Sequence, residues 1–120
     1  MEWRCALLDE QDTRRLGALL AKSCATGLVI YLVGALGTGK TTLTRGLLQG
    51  RGYTGAVKSP TYTLIEPYTV SGTQIFHLDL YRVADAEELE YLGLRDLLDA
   101  EALIVIEWPE KGTGYLPPAD

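Results

Sequence analysis

The sequence predicts an α/β domain of three layers with a mixed parallel and antiparallel sheet. Three observations carry this. Residues 28–33 (LVIYLV) and 103–106 (LIVI) are uninterrupted apolar runs rich in β-branched side chains, the pattern of strands buried on both faces, as in a parallel sheet. The first run passes through a glycine-rich turn into a helix-periodic segment, so strand, loop and helix follow one another directly. Residues 58–68 read as a loop leading into a strand, and 74–80 as a second strand. The turn signal Ser71-Gly72 joins these two as an antiparallel hairpin.

The elements can be justified in order. Asp9 suits a helix N-cap, with Asp12 three residues on as a weak capping-box partner. Leu16, Leu19 and Leu20 recur at helical spacing and Gly27 suits the C-cap, so the spacing predicts a helix over 10–25. After the first strand and the turn, Leu43, Leu47 and Leu48 share one face of a helix over 41–49. Pro67 lacks a ladder donor and therefore suits an edge position. Residues 85–91 predict a short acidic helix with a solvated face, and 94–99 a further helical piece. The last apolar strand ends at Glu107, and residues 112–120 are Gly/Pro-rich and irregular. No repeat or linker divides residues 1–120, which read as one domain.

Composition narrows the function. There are 11 basic against 16 acidic residues, a net charge of −5. Such a chain cannot hold nucleic acid through counterion release over its whole surface. Two cysteines 19 residues apart and a single histidine supply no zinc pattern and no disulfide framework. No run approaches a membrane span, and the first residues lack a secretory pattern. The expectation is a reduced, cytoplasmic protein.

Gly34-Ala35-Leu36-Gly37-Thr38-Gly39-Lys40-Thr41 matches G-x-x-x-x-G-K-[ST] at every fixed position. Gly34, Gly37 and Gly39 let successive backbone N–H groups converge on phosphate oxygens. The loop feeds a helix N-terminus, which favours an anion. Lys40 brings a mobile charge to the terminal phosphates, and the Thr41 hydroxyl suits Mg²⁺. A chance match in a chain this short is on the order of one in a few hundred. A flexible glycine turn explains neither the lysine nor the hydroxyl. The fold class is therefore a three-layer P-loop NTPase with a mixed sheet.

Such a site needs a carboxylate at the end of a neighbouring strand, and Glu107 has that place; its plainer reading is a solvated strand-end glutamate. Asp79 ends a different strand and suits the metal shell or the orienting of an attacking water; its plainer reading is a turn cap. Thr61 follows Ser59-Pro60 and suits a switch threonine reaching Mg²⁺ and the γ-phosphate; its plainer reading is a strand-start threonine. His77 alternates with Phe76 and Leu78, faces the other side of its strand, and reads as structural or as a support to the site. Arg82 is either a phosphate or partner contact or a solvated arginine. Trp108, next to Glu107, serves either packing or as a lid near the nucleotide.

No Asn/Thr-Lys-x-Asp base-reading segment is present, which argues against a guanine-specific switch. The chain has little room for the second pocket of a small-molecule kinase. The blocks Gly34 to Thr42, Lys58-Ser59-Pro60-Thr61-Tyr62-Thr63-Leu64, Glu66-Pro67-Tyr68, His77-Leu78-Asp79-Leu80-Tyr81-Arg82 and Ile106-Glu107-Trp108-Pro109 follow in that order. Together they resemble the bacterial TsaE (YjeE) family of small P-loop ATPases in tRNA threonylcarbamoyladenosine biosynthesis, from about residue 8 to the end.

The resemblance implies ATP and Mg²⁺ as ligands, with Thr41 and Glu107 as metal ligands and Asp79 and Thr61 near the γ-phosphate. It implies that Gly34, Gly37, Thr38, Gly39, Lys40, Thr41 and Thr42 bind phosphates and that Gln11 and Thr13 lie near the adenine. It implies TsaD- and TsaB-like partners, tRNA contact only through them, and an ATPase that resets their complex and is slow without it. Relatives continue past Leu116-Pro117-Pro118 with another strand or two, so edge strands are expected to be absent here. The rival readings are a nonenzymatic nucleotide-dependent scaffold and a small-molecule kinase.

Overall fold

The computed structural model describes residues 10–23, 28–33, 40–57, 64–70, 72–92 and 102–116. Helix α1 (Glu10–Ser23) precedes strand β1 (Val29–Leu32) and helix α2 (Lys40–Gly50). The hairpin β2 (Ile65–Val70) and β3 (Thr73–Asp79) follows, then a 3-10 helix (Ala86–Leu92), β4 (Leu103–Glu107) and a second 3-10 turn (Pro109–Gly112). The expected helical piece over 94–99 lies outside the described residues.

The four strands form one sheet in the order β1-β4-β3-β2. β4 pairs in parallel with both β1 and β3, while β2 and β3 are antiparallel. The sheet is therefore mixed, as the apolar runs and the hairpin predict. Every residue of β4 is buried, as expected of a strand flanked on both edges and covered on both faces. β1 differs from expectation. Its Val29, Ile30 and Tyr31 are only half-buried, because β4 is its one partner among the described strands and β1 ends the row. Pro67 stands exposed on β2, the other terminal strand, where a missing N–H costs no ladder bond. The hairpin closes with Val70 opposite Thr73, and Gly72 takes φ 80°, which glycine adopts without strain.

Strand alternation divides the core in two. Leu103 and Val105 of β4 join Ile75 of β3, Tyr68 and Val70 of β2, Leu32 of β1 and Leu47 and Leu48 of α2 in one cluster. Ile104 and Ile106 join Phe76, Leu78, Leu80, Val83 and Leu89 in the other, beneath the 3-10 helix. Helices thus cover one face and the 3-10 segments the other. In the acidic segment Asp85 accepts the Glu87 N–H through Oδ1 and the Glu88 N–H through its carbonyl, while Glu87, Glu88 and Glu90 face solvent. No described helix is long and apolar enough to cross a membrane.

α1 lies directly on α2. Its inward face runs through Thr13, Leu16, Gly17 and Leu20, whereas Leu19 is 61% exposed and not part of it. The two backbones touch at glycines. A Cβ on Gly17 would strike the Leu43 carbonyl oxygen and lie 2.7 Å from the Leu47 nitrogen. One on Gly46 would strike the Arg14 carbonyl oxygen and lie 2.7 Å from its Cα. Both obstacles are backbone and cannot move aside as a side chain would.

Alanine at either glycine therefore sets a gain in helix propensity of about 1 kcal/mol against overpacking of about 1–3 kcal/mol. Gly17→Ala and Gly46→Ala are expected to lower the thermal midpoint by several degrees in calorimetry. Gly52→Ala, with φ 101° but open space around it, would lose stability through backbone strain alone and leave the α1–α2 contact intact.

Candidate nucleotide site at the ends of the parallel strands

Parallel pairing puts the C-terminal ends of β1, β4 and β3 on one side of the sheet. Leu32 stands opposite Glu107, and Glu107 opposite Asp79. The chain leaves β1 there through Val33, 74% exposed, and re-enters described structure as α2 at Lys40. The glycine-rich motif therefore connects these strand ends to a helix N-terminus, the arrangement that concentrates N–H groups and positive potential on an anion. No acidic residue occupies the first turn of α2 to compete for that end.

Two of the expected site residues come together in the sheet. Asp79 and Glu107 end their strands side by side and are buried to 7% and 3% residual exposure. Each lies an even number of residues from Ile75 and Leu103, so both share the face covered by α2. Asp79 accepts the Tyr81 N–H through Oδ1 at 3.0 Å, and its own N–H donates to the Leu64 carbonyl at 3.0 Å. The Glu107 carbonyl accepts the Leu80 N–H at 3.1 Å. His77, fully buried two residues before Asp79, lies 2.5 Å from Glu107 through Nε2 and Oε2. An ionised carboxylate only accepts, so in this pairing Nε2 is the nitrogen that donates. The Nδ1 of His77 meets no hydrogen-bond partner among the described residues.

The backbone bends unusually on both sides of this corner. Leu64 has φ 66° and Trp108 φ 57°, both left-handed and neither glycine. Such a conformation costs on the order of 1–3 kcal/mol each and persists only where the surroundings enforce it. Leu64 supplies the carbonyl that fixes Asp79, and Trp108 directly follows Glu107. Both side chains pack against the cluster on the opposite face of the sheet. Trp108 also meets Tyr81 with ring centroids 5.0 Å apart and planes tilted 48°.

The remaining expectations divide by location. Gly34, Gly37, Thr38, Gly39 and Thr61 lie outside the described residues. Lys40 and Thr41 open α2 in the backbone, and their side chains are not described; Thr42 is half-buried in the same turn. Thr13 is buried on α1, next to the Arg14 backbone that crosses Gly46, whereas Gln11 is exposed. Thr13 thus lies on the face of α1 turned to α2. Arg82 is exposed in the turn after β3. The bond from His77 to Glu107 and the left-handed Leu64 go beyond the sequence expectations. The even spacing of His77 and Asp79 was the available signal for the first; nothing in the local sequence marks the second.

This arrangement can be set beside known proteins. The model of the family described as "Threonylcarbamoyl adenosine biosynthesis protein TsaE" matches residues 7–120. The Haemophilus influenzae tRNA threonylcarbamoyladenosine biosynthesis protein TsaE is 56% identical over 102 residues, covering 85% of this chain and 65% of that protein. The protein of the same name from Bacillus subtilis is 36% identical over 117 residues, covering 98% and 72% respectively. The crystal structure of Bacillus subtilis YdiB superposes with a TM-score of 0.77 at 30% identity, over 92% of this chain and 67% of that one. The chain thus spans about two thirds of the length of these proteins. A match of this extent, over the strands that carry Asp79 and Glu107 as well as the glycine-rich motif, establishes that the chain belongs to the TsaE family.

Proposed function

We propose that the chain binds Mg-ATP and hydrolyses it to ADP and phosphate, as a component of the tRNA threonylcarbamoyladenosine modification machinery. The observation that carries this is the buried, in-register pair Asp79 and Glu107, on the side of the sheet where the chain leaves β1 into the glycine-rich motif. The names of the relatives support the pathway. The partners in this reading are TsaD- and TsaB-like proteins, whose complex the ATPase resets between turnovers. The net charge of −5 agrees with tRNA being held by those partners.

The residues fit the proposed ligands. Mg²⁺ favours hard oxygens and needs only one or two protein ligands beside phosphate. The Glu107 carboxylate and the Thr41 hydroxyl supply these. Two acidic side chains buried side by side also favour a cation in their company. A bound Mg²⁺ would offset negative charge developing on the phosphates during transfer. The backbone amides of Gly34 to Thr42 and the Lys40 ammonium hold the phosphates. Asp79 and Thr61 orient the attacking water; Asp79 keeps one oxygen on the Tyr81 N–H, which fixes its carboxylate for that task. Trp108, which directly follows Glu107 and meets Tyr81, is in this reading the aromatic residue next to the nucleotide.

Two predictions test these roles. Lys40→Ala is expected to lose roughly 1.5–3 kcal/mol of ATP binding with an unchanged thermal midpoint. Calorimetric titration of the folded variant checks it, and undiminished affinity would remove Lys40 from the phosphate site.

The second separates binding from chemistry. Asparagine at 79 still accepts the Tyr81 N–H, so Asp79→Asn is expected to bind ATP nearly normally. It should hydrolyse ATP at least about tenfold more slowly, a barrier increase of roughly 1.4 kcal/mol. Glu107→Gln is expected to weaken the Mg²⁺ dependence of binding. Phosphate release with and without the partner complex, alongside Mg-ATP titrations, measures both. Loss of binding in Asp79→Asn but not in Glu107→Gln exchanges the roles. Unchanged hydrolysis in both favours a nucleotide-dependent scaffold, and phosphate appearing on a small molecule favours a kinase.

A further inference from the structure

We propose that His77 is a positioning residue that holds the Glu107 carboxylate in the orientation in which it meets Mg²⁺. This rests on the reading of Glu107 as a metal ligand. The two side chains are 30 residues apart in sequence, and both are almost fully buried. The register partner of His77 on β4 is Val105, so its bond to Glu107 runs diagonally toward the strand end. His77 thereby engages one oxygen, Oε2, and sets the plane of the carboxylate. Hydrogen bonds of this kind fix the geometry of ligating carboxylates, and their loss costs about 10–100-fold in metal affinity.

A purely structural role accounts poorly for the histidine. Its Nδ1 is buried without a hydrogen-bond partner among the described residues, a cost that an apolar side chain of similar shape would avoid. Both direct neighbours on its strand, Phe76 and Leu78, are apolar core. What the imidazole adds over a hydrocarbon is the Nε2–H aimed at Glu107. Asp79, the register partner of Glu107, has an oxygen on the Tyr81 N–H, while His77 bonds a Glu107 oxygen directly.

The test uses ADP binding by calorimetry, with Mg²⁺ and with chelator, on the 120-residue chain. His77→Phe is expected to keep its metal-free affinity and to lose about tenfold of the gain that Mg²⁺ confers. His77→Gln, which restores an N–H donor, should recover most of it. A second measurement needs no variant, because His77 is the single histidine of the chain. In ¹⁵N-histidine spectra the proton is expected on Nε2, with a signal that moves when Mg²⁺ is added to the ADP-loaded chain. A full Mg²⁺ gain in His77→Phe, a proton on Nδ1, or a signal indifferent to Mg²⁺ would each overturn the proposal. If the unaltered chain gains nothing from Mg²⁺, the metal reading of Glu107 falls and the inference with it. If the unaltered chain and His77→Phe gain equally, the inference alone falls.

Discussion

β4 hydrogen-bonds in parallel to β1 on one side and to β3 on the other, and this double pairing brings Leu32, Glu107 and Asp79 to one level. Parallel strands need crossovers between them, so their C-terminal ends collect on one side and their connections leave together. That side is where open α/β sheets place ligands. The exit of the chain from β1 and the acids ending β3 and β4 thus share one side of the sheet for a topological reason. An antiparallel β3–β4 pair would have carried Asp79 to the far end from Glu107.

The pairing is held by burial on both faces. Leu103, Val105 and Ile75 pack toward α2, and Ile104, Ile106 and Leu78 toward the 3-10 helix. Fully burying side chains of this size contributes about 1.5–3 kcal/mol each. The polar corner is placed at the edge of this apolar frame, where strand ends can bring carboxylates near a ligand without crossing the core. α2 is pinned in turn by α1 through the glycine contact at Gly17 and Gly46, which brings backbone against backbone. Helix α2 therefore has little freedom to slide along α1.

Some of that stability is spent at the site. Leu64 and Trp108 hold left-handed backbone conformations beside Asp79 and Glu107, and both are kept there by packing on the far side of the sheet. The strain turns the chain sharply at two places, leaving the Leu64 carbonyl on the Asp79 N–H and the Trp108 ring on Tyr81. His77 adds a buried polar group with one nitrogen unpartnered among the described residues. Such departures from local preference cluster where geometry serves a ligand rather than the fold.

The sequence alone determined most of the elements and the family. Apolar runs of strand length marked β1 and β4, Ser71-Gly72 marked the hairpin, and the glycine-rich motif marked the passage from β1 into α2, because each depends on local pattern. Glu107 and Asp79 were legible as strand-end acids for the same reason. Tertiary structure alone decided the rest. Strand order put β1 at the end of the described row, so its apolar run is half-buried where full burial was expected. The helix-helix contact made Thr13 and Gly17, not Leu19, the inward face of α1. The bond from His77 to Glu107 joins positions 30 residues apart, and only the parallel register of β3 and β4 selects that partner. Periodicity tells which face a side chain takes; it carries no information on which strand lies alongside or at what stagger.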